Sequence, residues 1–228
     1  GRPGSFLALG WIKLLDELGP LMHRADKVIF VNCCLKGHRL DYVREADGFY
    51  DEFGDLGYSL NGSSLLALRK PALMWTHDAK SIKPDPDSYF QRHLHMGAFP
   101  TAPFPGNDHT ILPDPRSDQH YLDYGLLLGA MRGKKWVLEP HCVETTTPGV
   151  KVNLFEVPGG YALPVTFGGT NEIAVVRIRN IQGLEDLKAS AIHPAAETLA
   201  AVDSSLKDGV LTLTVPLKRG CAMMKLAN

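Results

Sequence analysis

Two rhythms of apolar and polar positions run along this chain, and the change between them falls between Lys134 and Val150. In the first part Leu7, Trp11, Leu14, Leu15 and Leu18 recur at three- and four-residue spacing behind Ser5, and Gly19-Pro20 follows. That pattern predicts an amphipathic helix capped by Ser5 and stopped at the Gly-Pro pair. Lys27 to Cys33 is apolar at consecutive positions, as in a parallel strand buried on both faces. A short helix near His38 to Arg44, a strand at Asp47 to Tyr50, a brief helix through Leu65, Leu66 and Leu68, and a strand opened by Pro71 complete an α-β-α-β-α-β order. Asp118 is placed to cap a further helix through Tyr121, Leu122, Leu126, Leu128 and Met131, ending at Gly133.

Beyond Trp136 the segments are short and carry period-2 character: Val152 to Val157, Tyr161 to Phe167, Ile173 to Arg179, Leu187 to Ile192, Leu199 to Val202, Val210 to Val215 and Ala222 to Leu226. Punctuation comes from Pro158-Gly159-Gly160, Gly168-Gly169, Asp208-Gly209 and Arg219-Gly220. Strands at such regular spacing predict an antiparallel β-sandwich. The expected architecture is α/β plus all-β, with domains at 1–140 and 141–228.

Between them, Lys80 to Asp118 has prolines at 84, 86, 100, 103, 105, 113 and 115 but also Tyr89, Phe90, His93, His95, Phe99, Phe104 and His109. The prolines predict a long loop and the aromatic content predicts that it is ordered, so 80–118 is read as a lid.

Composition narrows the partners. The 228 residues carry a formal charge of -1 with both signs interspersed, which argues against nucleic acid. No apolar run approaches the roughly 18 residues that cross a bilayer. Cys33, Cys34, Cys142 and Cys221 show no C-x-x-C spacing, so buried free thiols are expected rather than a metal or redox pair. Gly1-Arg2-Pro3-Gly4 reads as a tag scar joined to the interior of a longer gene, and the compartment stays open.

Candidate chemistry sits where the first strands end. Asn32 closes the first strand, Asp51 and Glu52 the second, and Trp75, His77 and Asp78 lie in or just beyond the third. In α/β folds the carboxyl ends of parallel strands form one functional rim, and the lid contributes Asn107, Asp108 and His109. Each has a plain structural reading as well: Asp51 and Glu52 as strand-end caps, Trp75 as core, and Asn107 to His109 as an Asx turn. Adjacent strand residues point to opposite faces, so only one of Asp51 and Glu52 can face a shared site. His93-Leu-His95 lacks zinc-site spacing, and no P-loop, G-x-S-x-G or G-x-G-x-x-G is present. Neither metal nor cofactor is expected.

Asp47-Gly-Phe-Tyr-Asp-Glu52, Met74-Trp-Thr-His-Asp78, the Gly97 to His109 stretch, Tyr121 to Gly125 and Arg132-Gly-Lys-Lys-Trp136, followed by the predicted sandwich, together resemble the C-terminal part of a glycoside hydrolase built as a (β/α)8 barrel with an appended β-sandwich. The resemblance implies a partial, half barrel whose first four or five βα units are absent. It implies glycosidic-bond hydrolysis by two carboxylates in the full-length enzyme, with Asp51 or Glu52 as one of them and a carbohydrate as partner. Such carboxyl groups stand about 5 Å apart for retention or about 6.5–9.5 Å for inversion. Half a barrel leaves open sheet edges, so a homodimer through that face is expected. The alternative is a non-catalytic carbohydrate-binding or assembly module.

Overall fold

The computed structural model describes residues 3–32, 44–51, 63–76, 82–101 and 114–227. Helix α1, Pro3–Arg24, runs through Gly19-Pro20 rather than stopping there. Pro20 forfeits one intrahelical bond, but the last turn is held from beyond it. The Leu21 carbonyl accepts from the Ala25 amide at 3.2 Å, the Met22 carbonyl from the Lys27 amide at 2.9 Å, and the His23 ring reaches the Asp47 carboxylate at 3.0 Å.

Four strands, β1 (Phe30–Asn32), β2 (Gly48–Asp51), β3 (Ala72–Met74) and β4 (Phe99–Pro100), pair in that order and all in parallel. A helical turn, α2, at 63–66 lies between β2 and β3. β1 is shorter than expected and not buried on both faces, with Val28 68% and Phe30 44% exposed. Among the described residues β2 is its only neighbour, and the two-sided burial inferred from its apolar run does not occur. The expected helix near 38–44 falls outside the described residues except for Arg44.

The lid expectation is corrected over 86–100, which forms helix α3 (Pro86–Met96) and β4. The prolines that read as loop punctuation have helix and strand roles. Pro86 stands in the first turn behind the Asp85 cap, whose side chain accepts from the Ser88 amide, and Pro100 lies on β4, which among the described residues pairs only with β3, where a missing N–H is tolerated. Helix α4 (Pro115–Gly129) likewise starts earlier than expected, because Asp114 rather than Asp118 provides the cap and Pro115 the first turn.

The second part is antiparallel. One sheet runs β12 (Ala200–Ala201), β11 (Lys188–Ile192), β15 (Ala222–Ala227), β9 (Gly160–Thr166), β8 (Phe155–Val157) and β5 (Lys135–Trp136), with β7 (Lys151–Val152) also on β9. The other runs β13 (Asp203–Lys207), β14 (Val210–Pro216), β10 (Ile173–Ile178) and β6 (Val143–Thr145). β13 and β14 are joined at Asp208 (φ 53) and Gly209 (φ 74), both in the left-handed conformation that a two-residue hairpin turn requires.

Alternation along the central sheet explains how the layers stack. Leu154, Leu163, Val165, Ala191, Ala222 and Met224 join Val176, Ile178, Leu211 and Leu213 of the other sheet in one core. Their sequence neighbours Phe155, Ala162, Ile192, Cys221 and Met223 point the other way, into a second core with Tyr89, Phe90 and Leu94 of α3 and Tyr124 and Leu127 of α4. Each of these larger side chains contributes about 1.5–3 kcal/mol by burial. A third, smaller core of Ala46, Phe49, Ala67, Ala72, Met74 and Ala98 lies on the parallel sheet.

Close approach decides one glycine. A Cβ on Gly160, which has φ +150, would lie 2.0 Å from the Leu226 carbonyl oxygen across the β9–β15 ladder. Gly160→Ala is expected to cost about 2 kcal/mol or more, seen in thermal denaturation as a Tm lowered by roughly 4–8 °C. An unchanged Tm would mean that the ladder end yields freely.

Candidate functional site

The carboxyl ends of β2, β3 and β4 stop beside one another because the parallel ladder sets them there. The Trp75 amide donates to the Asp51 carbonyl at 3.1 Å, and the Thr101 amide donates to the Met74 carbonyl at 3.0 Å. Asp51, Trp75, Thr76 and Thr101 therefore occupy neighbouring strand exits. Asp51 is 3% exposed, and the Ser63 hydroxyl at the start of α2 donates to its Oδ2 at 2.6 Å. Trp75 is half-buried.

Helix α3 reaches the same rim. The Tyr89 hydroxyl shares a hydrogen bond with Thr76 Oγ1, and from α4 the Tyr121 hydroxyl donates to the Thr101 carbonyl. Thr101 Oγ1 is buried without a hydrogen-bond partner among the described residues. One turn after Tyr89, His93 donates from Nδ1 to the Tyr89 carbonyl at 3.0 Å, which leaves its other ring nitrogen, Nε2, deprotonated, buried and, among the described residues, unpartnered. Burial pushes the His93 pKa down to about 4. His95 is also pushed down to about 4, by burial first and by nearby Lys151 second. Both rings are neutral near pH 7.

Asn32 is exposed at the end of β1. It pairs in register with Tyr50, the neighbour of Asp51, so its side chain stands on the sheet face opposite Asp51. Glu52, His77, Asp78, Asn107, Asp108 and His109 lie outside the described residues. Ser63 was not singled out from the sequence, and Tyr89, Tyr121 and His93 were named there for the order of 80–118, a helix pattern and a rejected metal spacing, not as groups at this rim. For Tyr89 and His93 a signal existed, since their four-residue spacing places both on one face if 86–96 is a helix.

A second polar cluster joins the helices to the antiparallel part. The Arg219 guanidinium donates to Asp87 at 2.8 Å through Nε and to Asp123 at 2.5 Å, and the Tyr124 hydroxyl donates to Asp87 at 2.9 Å. Burial raises the Asp123 pKa, but hydrogen bonds from Gln119 and Arg219 outweigh it and hold the carboxyl below its ordinary range. The Gln91 amide donates to the Arg219 carbonyl at 2.9 Å and accepts from the Phe167 amide at 2.6 Å. With each carboxylate bound by the same arginine, this is a clamp between α3, α4 and the turn before β15. Burial pushes the Cys221 thiol beside it up to about 12, which leaves it inert as a nucleophile.

Among the described residues no group of three or more His, Cys, Asp or Glu side chains could hold a metal ion. No helix among them is long and apolar enough to cross a membrane.

No protein-family model matches this chain, and no curated protein does. Solved structures to which the chain is similar include xylanases and an alpha-amylase. The catalytic domain of GH30 xylanase C from Talaromyces cellulolyticus has a TM-score of 0.48 at 11% identity, over 95% of this chain and 56% of that one. A GH30 endoxylanase from Clostridium papyrosolvens C71 has 0.45 at 11%, over 82% and 50%. The alpha-amylase from H.orenii has 0.46 at 8%, over 100% and 58%. The chain thus spans about half the length of the structures it matches. At these values the likeness carries neither fold nor chemistry, and both rest on this chain's own residues.

Proposed function

We propose that this chain is a carbohydrate-active, glycoside hydrolase-like protein, a half (β/α) barrel followed by an antiparallel β-sandwich, with its saccharide site at the rim of the parallel strands. The observation that carries the reading is the alignment of Asp51, Trp75, Thr76 and Thr101 at adjacent exits of β2, β3 and β4. Asp51 is in register with Met74, so Trp75 stands on the opposite face, level with Thr101, and a half-buried indole beside the Thr101 hydroxyl offers a sugar an apolar platform together with a hydrogen-bonding group. One of Asp51 and Glu52 faces the sugar, and a second carboxylate from another strand exit or from 102–113 completes the pair needed to cleave a glycosidic bond. Asp78 and Asp108 are the proposed sources, and His77, Asn107 and His109 the proposed hydroxyl ligands, with Asn32 at the margin.

The test is a glycan-array screen followed by calorimetry on any hit. Trp75→Ala is expected to weaken binding by about tenfold or more and Glu52→Gln to weaken or abolish it, while Leu122→Ala on the exposed face of α4 has no effect. If the wild-type chain binds no saccharide, or Trp75→Ala leaves affinity unchanged, the reading fails.

A specific observation favours the assembly reading beside it. Leu9, Trp11, Leu14, Leu18 and Leu21 on α1, and Phe30 on β1, are all exposed, a larger apolar row than a monomer ordinarily leaves in water. A homodimer through this side of the parallel sheet covers that row and the β1 edge. Light scattering decides it: a monomer at micromolar concentration removes the assembly reading and leaves the saccharide test untouched.

A further inference from the structure

At the amino ends of β3 and β4, away from the rim, lies a cavity of about 390 Å³. Its apolar lining includes Leu73, Phe99 and Met131, and the other residues that line it include Arg69, Lys70, Arg132 and Lys134. None of the lining residues is acidic. We propose that this cavity binds a small amphiphilic carboxylate, its hydrocarbon body on Leu73, Phe99 and Met131 and its anionic head among the cations at the mouth.

The cations come from two separate elements, the link from α2 into β3 and the turn after α4. Arg69 is engaged by the Gly133 carbonyl at 3.2 Å and by Glu156. Lys70 donates to the carbonyls of Arg44 at 3.1 Å and of Ala46. Arg132 is exposed, and among the described residues neither it nor Lys134 has a carboxylate partner. The C-terminal dipole of α4 accounts for Arg132 alone. It does not account for Lys134, which is 1% exposed with its ammonium held by the Ser64 carbonyl at 2.6 Å and hydroxyl at 3.0 Å. Burial pushes that amine down to about 8, so it remains protonated near neutral pH. A buried cation with no counter-charge is costly, and an anion seated nearby offsets the cost. The apolar lining selects against inorganic phosphate or a nucleotide polyphosphate, which would leave Leu73 and Phe99 uncovered. Clefts of roughly 300–1,000 Å³ take small organic ligands, and the volume here is at the lower end.

The test titrates the full chain with octanoate and, separately, with octanol, by calorimetry near neutral pH and low salt, and follows the Met131 methyl by NMR. Octanoate is expected to bind at one site about tenfold tighter than octanol, to weaken as salt rises, and to shift the Met131 methyl. Arg132→Ala, on an exposed side chain, is expected to reduce the affinity several-fold, and Leu73→Trp, which fills the cavity, to abolish it. Equal affinity for octanol, no octanoate binding, or binding that leaves the Met131 methyl unmoved overturns the proposal. The last of these would put octanoate on the exposed apolar row of α1. If Leu73→Trp does not fold, the Met131 signal and Arg132→Ala still decide. The site lies at the opposite end of the strands from the saccharide rim, and neither result depends on the other.

Discussion

Acidifying the protein from about pH 7 to about pH 5 is expected to lower its stability by about 2–4 kcal/mol through two histidines that burial holds neutral. His93 and His95 have folded pKa values of about 4, against about 6.5 in an unfolded chain. For a histidine held neutral, folding stability is fully present above the unfolded value. It declines as pH falls below about 6.5 and stops declining near the folded value. At pH 5 the unfolded rings are protonated and the folded ones are not, which corresponds to about 2 kcal/mol for His93 and less for half-buried His95. Asp47, Asp85 and Asp123 sit below their ordinary carboxylate range, so their contributions are lost only at lower pH. The check is urea denaturation across pH 7 to 4.5 for the wild type and for His93→Phe. That substitution removes a ring whose Nε2 has no partner among the described residues and should flatten much of the slope while changing stability little at pH 7. A wild-type slope that persists in His93→Phe would assign the acid sensitivity elsewhere.

Residues 141–228 alone are expected to be insoluble or to unfold without cooperativity, whereas 82–228 should give a single thermal transition. A cut at residue 140 strips α3, α4 and β5 from the central sheet and bares Phe155, Ala162, Ile192, Cys221 and Met223. Losing the burial of these side chains and of the helix residues packed on them removes on the order of 10 kcal/mol, comparable with the whole stability of a domain. Arg219 would lose Asp87 and Asp123 as well. Differential scanning calorimetry of both pieces checks this. A cooperative transition from 141–228 would show that the first antiparallel core suffices and that the helices are only docked on it.

Most strands of the second part were legible because alternation along them is local. Val210-Leu-Thr-Leu-Thr-Val215 sends Leu211, Leu213 and Val215 into one core and leaves Thr214 exposed. β13 was missed for the converse reason, since every residue from Asp203 to Lys207 is exposed and an edge strand without a buried face carries no apolar rhythm. Ala222-Met223-Met224 is apolar without a break because its alternate residues enter two different cores, and consecutive burial of that kind reveals a middle layer only when the sheet is known to be antiparallel. At the candidate site the sequence pointed to Asp51 and Trp75 as polar or amphipathic groups at strand exits. It did not point to Ser63, Tyr89 or Tyr121, whose hydroxyls reach the rim from helices distant along the chain.

Local patterning by itself determined α1, the places of β1, β2 and β3 with the helical turn between the last two, the antiparallel second part, the turn at Asp208-Gly209 and the polar character of the strand ends, since each depends on residues a few positions apart. The tertiary structure alone decided which strands are edges among the described residues, that α1 continues past Pro20, that 86–100 adds a helix and a parallel strand, and that α3 and α4 cover the central sheet. It also decided that Lys134 is buried against Ser64 and that Asn32 and Asp51 stand on opposite faces. All of these depend on what approaches from elsewhere in the chain: a proline tolerated at an edge, a lysine enclosed by a distant turn, and a side chain whose face is set by register with its neighbour.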